Sequence, residues 1–284
     1  MNGRSREGDV KDESAGPVPL ALGVDVSSVV TQVTSKQGNL RAPTSFRAAS
    51  NQPPLRLPSW QERLKSLICC FAPERGGYLK EKRDKVVVRS PPRPTRSQPL
   101  LGPKRAEDSE KPTLVLDLDE TLVHSSFKPI PNPDYIIPVD IDGKVVDVYV
   151  LKRPWLDHFM NSVAERYEVV VFTASLAKYA DPLMDMMDKA MIVRWRLFRE
   201  SCCPYEGNYV KDLSWLGRDL TQTIIVDNSP HSYIFQPQNA LPIGTFIDDM
   251  EDRELLDMLP VLNKMHNVED VRLHLSAYAQ TSYM

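Results

Sequence analysis

Long apolar runs are missing from this 284-residue chain, and nothing in it approaches the roughly 18 consecutive apolar residues of a membrane-spanning helix. Met1 to Val10 is too polar for the apolar segment of a secretory signal, and Asn2 stands where N-myristoylation requires glycine. Cysteine is scarce as well. The four present form two adjacent pairs, Cys69-Cys70 and Cys202-Cys203, which make no disulfide framework and fit a reducing compartment. No other Cys or His cluster lies near Cys202-Cys203, so these two read as packed thiols rather than zinc ligands. No internal repeat is present.

Positive charge is unevenly spread. Residues 1 to 110 carry net +7 and residues 111 to 284 net −10, although the whole chain sums to only −3. Half of the 24 prolines fall in the basic part, beside Ser-, Gln- and Arg-rich stretches such as Ala42 to Pro54 and Ser90 to Pro103. Such a composition buries too little apolar surface to offset chain entropy, so residues 1–104 read as a disordered basic arm and 105–284 as the folded body. Within the arm, Ser59-Trp60-Gln61-Glu62 fits a capping box, and Trp60, Leu64, Leu67, Ile68 and Phe71 share one helical face. A short amphipathic helix is expected over 59–71, ending at Cys69-Cys70 among several Lys and Arg. The acidic body argues against direct nucleic-acid binding by the folded part, while the basic arm suits an acidic membrane surface or nucleic acid.

From Pro112 onward, apolar strand-like runs alternate with helical patterns, the signature of an α/β fold. The expected strands are Thr113 to Leu116, Tyr135 to Val139, Val145 to Leu151, Glu168 to Phe172, Thr223 to Val226 and Gly244 to Ile247. Asp142-Gly143 reads as the hairpin turn between the second and third. Helices are expected after Arg153 with Pro154 in the first turn, near Ser175, at Asp181-Pro182, over Glu251 to Met265 and over Val268 to Tyr278.

The chemistry begins in LVLDLDETLVHSS, residues 114 to 126, where Asp117, Asp119 and Glu120 follow an aliphatic strand. Buried carboxylates without partners cost several kcal/mol each. Side chains two apart in an extended segment point the same way, about 7 Å apart, so Asp117 and Asp119 can face one pocket. A second strand ends at Asp227-Asn228 and a third at Thr173. If these strands are parallel neighbours, their carboxyl ends share one crevice, where open α/β sheets bind ligands. Oxygen donors of this kind suit Mg²⁺ together with a substrate phosphate. A carboxylate can attack phosphorus, a second acid two residues on can move the proton, and a lysine can hold the phosphoryl oxygens. Lys211 is that lysine by its order along the chain. Taken singly, each piece reads equally as a turn, a cap or a surface lysine; together, at strand ends in sequence order, they point to phosphoryl transfer. Glu120 has no task in this scheme beyond supporting the turn that follows.

Five motifs then match one family in order: DLDETLVHSS at 117–126, FTASLAKYADP at 172–182, RLFRESC at 196–202, NYVKDLS at 208–214 and DNSP at 227–230. Over about residues 105 to 275 the chain closely resembles the small phosphatases of the RNA polymerase II carboxy-terminal domain, within the haloacid-dehalogenase-like superfamily. The resemblance implies a Rossmann-like parallel sheet flanked by helices, with a small inserted antiparallel sheet matching Tyr135 to Val150. It implies Asp117 as nucleophile and Asp119 as general acid and base that also binds Mg²⁺ through its main-chain carbonyl. Thr173 and Lys211 would stabilise the phosphoryl group, Asp227 and Asn228 would complete the metal shell, and Arg199 and Tyr179 would lie near the substrate. Phe127, Val139, Ile141, Val148 and Leu176 would form an apolar pocket for a substrate proline, or simply pack the core of the insert.

The family pattern has a His-Arg pair where this chain has Tyr205-Glu206, and an Arg where it has Trp215, which weakens steering of acidic peptides. The implied activity is Mg²⁺-dependent protein serine/threonine phosphatase, with the polymerase repeat or another transcription-related phosphoprotein as partner. The alternatives are a phosphopeptide-binding pseudophosphatase, for which no catalytic group is missing, and a small-molecule phosphatase. A monomer is expected. The expected location is nuclear, with a cytoplasmic or membrane-associated pool if Cys69 and Cys70 are acylated beside their basic neighbours.

Overall fold

The computed structural model describes residues 96–279. The expected amphipathic helix at 59–71, with Cys69 and Cys70, lies outside the described residues.

Five strands form one parallel sheet: β1 (Thr113–Leu116), β5 (Glu168–Phe172), β6 (Val193–Leu197), β9 (Thr223–Asp227) and β10 (Ala240–Pro242), in the order β10-β9-β1-β5-β6. β1 sits in the middle, paired with β5 on one side and β9 on the other. Every residue of β1, β5 and β9 is buried, as near-continuous aliphatic runs require when both faces of a sheet are covered. Alternate side chains serve the two faces. Leu114, Leu116, Val169, Val171, Ile224 and Val226 join one core, and Val115, Val170, Phe172 and Ile225 the other.

The first core is roofed by helices: α1 (Leu156–Ala164), α2 (Ala177–Met187), α3 (Glu254–Met265) and α4 (Arg272–Ala279). Phe159, Val163, Leu183, Met184, Leu255, Leu259 and Leu262 face into it, at the three- and four-residue spacing of an amphipathic helix. The second core is covered differently, by 3₁₀ turns at Leu213–Trp215 and Leu220–Gln222 and by irregular chain that places Leu101, Leu213, Leu216 and Tyr233 against the sheet.

Between β1 and α1 the chain inserts an antiparallel sheet ordered β2-β4-β3, from β2 (Val123–Ser126), β3 (Tyr135–Ile141) and β4 (Lys144–Lys152). Asp142 and Gly143 both have positive φ, 54° and 80°, as a two-residue hairpin of this hand demands. A second hairpin, β7 (Cys203–Tyr205) and β8 (Asn208–Val210), turns at Glu206-Gly207.

Three sequence expectations need correction. Gly244 to Ile247 is not a strand; β10 forms upstream at Ala240–Pro242. Asp181-Pro182 does not begin a helix, because α2 starts at Ala177 and buried Tyr179, Ala180, Leu183 and Met184 hold it together through Pro182. Pro154 lies in a turn before α1 rather than in its first helical turn, since the helix starts at Leu156. β2 and β6 are not among the expected strands: β2 holds a single apolar residue, Val123, and β6 is a short edge strand that alternates Val193, Trp195 and Leu197 with arginines and buries only Leu197.

The folded body reaches upstream of residue 105. Leu100 and Leu101 donate backbone bonds to Trp215 and Leu216, and Leu101 is buried in the second core. Gly217, at φ 74°, sits so close that an added Cβ would lie 2.5 Å from the Pro99 Cβ. Gly217→Ala combines a left-handed backbone with this clash, so it should cost roughly 1–3 kcal/mol. Thermal unfolding should show a lower melting temperature, partly restored by adding Pro99→Gly; a variant melting with the wild type would refute the packing.

Candidate active site

Strand β1 delivers the first acids. Its ladder continues past the strand, with the Asp117 N–H donating to Val226 O at 3.0 Å. The chain then turns tightly: Glu120 takes a left-handed φ of 59° and its N–H closes on Val123 O at 2.7 Å. This turn gives Asp117 and Asp119 different neighbours.

Asp117 belongs to an ion cluster. Lys211, just past β8 and 1% exposed, places its ammonium 2.5 Å from Asp117 Oδ1 and 2.6 Å from Asp227 Oδ2, at the end of β9. An ammonium carries three N–H donors, so two go to these acids and one is left for an incoming oxygen. Burial penalises the charge of Lys211, but the two carboxylates outweigh it and hold its pKa above the usual lysine value. One ammonium cannot neutralise two carboxylates. The surplus appears at Asp227, pushed up to about 6 by burial and by the Asp117 charge, against the pull of Lys211 and a 2.8 Å bond from the Ser229 N–H.

Asp119 belongs to a hydroxyl cluster. Its Oδ2 accepts from Ser175 Oγ at 2.6 Å and, more distantly, from Thr173 Oγ1 at 3.4 Å, both just beyond β5. Its Oδ1 accepts from the Tyr179 hydroxyl at 2.8 Å, and that hydroxyl also meets Ser125 Oγ. Burial, then the charge of Glu120, raises the Asp119 pKa to about 7, while the Ser175 and Tyr179 hydroxyls oppose the rise. The Glu120 carboxylate is held 3.1 Å from His124 Nδ1. A carboxyl poised near neutrality can both give and take a proton.

The donors for a cation are oxygens. Asp117 Oδ2 and Asn228 Oδ1 both face the Thr121 hydroxyl, at 3.1 and 3.3 Å. One hydroxyl proton serves one acceptor at a time, which leaves an oxygen for a metal. Asn228 donates its Nδ2 to Thr245 Oγ1 at 3.1 Å, which leaves its amide oxygen on the side of the Thr121 hydroxyl that also meets Asp117. Such hard donors fit Mg²⁺, which takes few carboxylates and keeps waters. Among the described residues no group of three or more His, Cys, Asp or Glu could hold an ion by itself. Water and a substrate phosphate would complete the shell.

The remaining candidates lie around this centre. Arg199 donates its Nε to Ala174 O at 2.5 Å and stacks 4.9 Å over the Tyr209 ring. Tyr179 is fully buried, so it meets Asp119 rather than solvent. Val139, Ile141 and Val148 are buried in the core of the insert, with Phe127 and Leu176 half-buried against them. Cys202 and Cys203 are buried thiols, and burial pushes Cys202 up to about 12. Four contributors escaped sequence reasoning: Thr121, Ser125, Ser175 and the charge of Glu120. Ser175 stands two residues past Thr173, the same alternation that singled out Asp117 and Asp119; Ser125 carries no such signal.

Comparison with known proteins gives concordant matches. A family model described as NLI interacting factor-like phosphatase matches residues 112–272. The human carboxy-terminal domain RNA polymerase II polypeptide A small phosphatase 1 is 48% identical over 254 residues, 87% of this chain and 96% of the relative. Phosphatase Herzog of Drosophila melanogaster is 51% identical over 210 residues, 72% of this chain and 59% of the relative. A Dictyostelium discoideum relative, described as a C-terminal domain small phosphatase, is 61% identical over 175 residues, 62% of this chain and 57% of the relative. Among solved structures, that of Fcp1, an essential RNA polymerase II CTD phosphatase, aligns with TM-score 0.42 and 15% identity, over 56% of this chain and 51% of that one.

The raised pKa of Asp119 has a stability signature. Between the unfolded value near 4 and the folded value of about 7, the native carboxyl keeps a proton that the unfolded one has released. Its contribution is therefore full at low pH and is lost as pH rises through about 7. Asp119→Asn cannot ionise, so in metal-free buffer it should melt above wild type at neutral pH, by a margin that widens from pH 4 to pH 7. A margin independent of pH would contradict the assignment.

Proposed function

This chain belongs to the NLI interacting factor-like phosphatase family, and from that premise we propose that it hydrolyses phosphoserine and phosphothreonine monoesters in proteins through an aspartyl-phosphate at Asp117. The observation that carries the reading is the buried Lys211 bridging Asp117 and Asp227, beside an Asp119 separately held near neutrality.

The geometry divides the work. Asp117 is held by Lys211 and Thr121, so its carboxylate is fixed for attack on phosphorus. As the phosphorus–oxygen bond to the serine or threonine breaks, protonated Asp119 gives its proton to the departing alkoxide. Asp119, now ionised, then takes a proton from water, whose oxygen attacks the phosphorus of the acyl phosphate and restores Asp117. The third N–H of Lys211, the Thr173 hydroxyl and the Arg199 guanidinium donate to the phosphoryl oxygens. Asp117, Asn228, Asp227 and the main-chain carbonyl of Asp119 would hold Mg²⁺, which when bound supplies positive charge to the phosphoryl group.

We assign the substrate class as phospho-Ser-Pro segments, with the RNA polymerase II C-terminal repeat as the leading example. The human relative above is named for that polymerase. Phe127 and Leu176 are only partly buried and pack against the apolar cluster that holds Val139, Ile141 and Val148, a surface whose character suits a proline ring. A transcription-related phosphoprotein implies a nuclear location, and acylation of Cys69 and Cys70 would add a membrane-associated pool.

Phosphate release from a Ser-Pro phosphopeptide, measured with and without EDTA, tests the reading. Turnover should disappear in EDTA, and Asp117→Asn should lower kcat on the order of 10³-fold or more. Activity that survives either change would sink the mechanism. Binding without turnover would favour a scaffold, and turnover of sugar phosphates alone a small-molecule enzyme.

A further inference from the structure

Arg153 lies outside the chemistry yet is among the most thoroughly bonded side chains in the fold. It is 1% exposed, and its guanidinium grips Asp252 with both arms, Nε to Oδ1 at 2.9 Å and Nη2 to Oδ2 at 2.7 Å. The remaining nitrogen, Nη1, donates to two carbonyls from separate parts of the chain: Thr121 O at 3.1 Å and Gly244 O at 2.9 Å. The guanidinium also lies 5.6 Å over the Phe246 ring, whose own N–H donates to Glu120 O at 2.8 Å.

These partners converge on one amide. Thr121 places its hydroxyl against Asn228 Oδ1, and Thr245, next to Gly244, accepts from Asn228 Nδ2. The two sides of Asn228 are thus held by two segments that a single nitrogen of Arg153 ties together. An amide is nearly symmetric in shape, so only its hydrogen-bond partners decide which side carries oxygen and which NH₂. Turned over, Asn228 would aim an NH₂ at the Thr121 hydroxyl beside Asp117, and an NH₂ cannot ligate a cation.

We propose that Arg153 is a positioning residue for the cation site, holding the 244–252 loop against the Thr121 turn so that the oxygen of Asn228 faces the Thr121 hydroxyl beside Asp117. The inference rests on the Mg²⁺-dependent reading above. Lysine would keep the charge of Arg153 but not the planar fork that reaches Asp252 and both carbonyls at once. A residue serving stability alone would lower the melting temperature and leave metal affinity untouched.

The test is calorimetric titration of the full chain with Mg²⁺ alone. Removing a group that orients a metal ligand weakens metal binding about 10- to 100-fold, and that is the loss expected for Arg153→Lys and for Thr245→Val, with Thr245→Ser staying at wild-type affinity. The double variant Arg153→Lys/Thr245→Val should bind no more weakly than Arg153→Lys, since both act through Asn228. Saturating Mg²⁺ should restore kcat in both single variants, with KM for the phosphopeptide unchanged. Wild-type Mg²⁺ affinity in folded Arg153→Lys overturns the proposal, as does a double-variant loss equal to the product of the two single losses. Should Arg153→Lys not fold, equal affinities of Thr245→Val and Thr245→Ser overturn it. A wild-type chain that binds no Mg²⁺ overturns the metal-dependent reading itself, and this inference with it.

Discussion

One buried ammonium constrains the centre of this fold. Lys211 is almost fully removed from water and survives there as a cation because Asp117 and Asp227 are brought to it from two neighbouring strands. The dependence is mutual, since the ammonium opposes the rise that burial imposes on the proton affinity of Asp227. The parallel pairing of β1 with β9 makes the meeting reproducible, by setting the register in which Asp117 and Asp227 leave the sheet. Even so the cluster is short by one positive charge, and that deficit makes it receptive to a further cation.

Asp119 escapes the cluster only because the chain bends. The left-handed Glu120 redirects the backbone after two acids, and the serine, threonine and tyrosine hydroxyls following β5 collect the second one. Burial and the nearby Glu120 charge, against the pull of those hydroxyls, thus set the proton affinity of Asp119 apart from that of an ordinary carboxyl. The inserted sheet contributes to this division, since Ser125 on β2 supports the Tyr179 hydroxyl from behind.

Much of this was legible in the sequence. The aliphatic runs before Asp117, Thr173 and Asp227 gave the three central strands to within a residue, because strands buried on both faces need unbroken apolar sequence. The convergence of those strand ends followed from fold class alone. What stayed hidden was decided by long-range partners. Arg194 and Arg196 in β6 look like solvent-facing residues until their partners Asp108, Asp181 and Asp185 are in place. The second hairpin asks Glu206 for a positive φ that glycine or asparagine would signal more clearly. Nothing in the local sequence marks Arg153 as buried, since its partner Asp252 lies 99 positions away.

Cys202 lies behind the crevice, with its thiol 3.8 Å from Thr173 O. Burial keeps it protonated at any cellular pH, and a thiol in that state is a poor target for peroxide. Among the described residues, the side chains hydrogen-bonded to the Asp117 and Asp119 carboxyls reach them through oxygen or a lysine nitrogen. The Cys202 thiol therefore presents no thiolate to an oxidant.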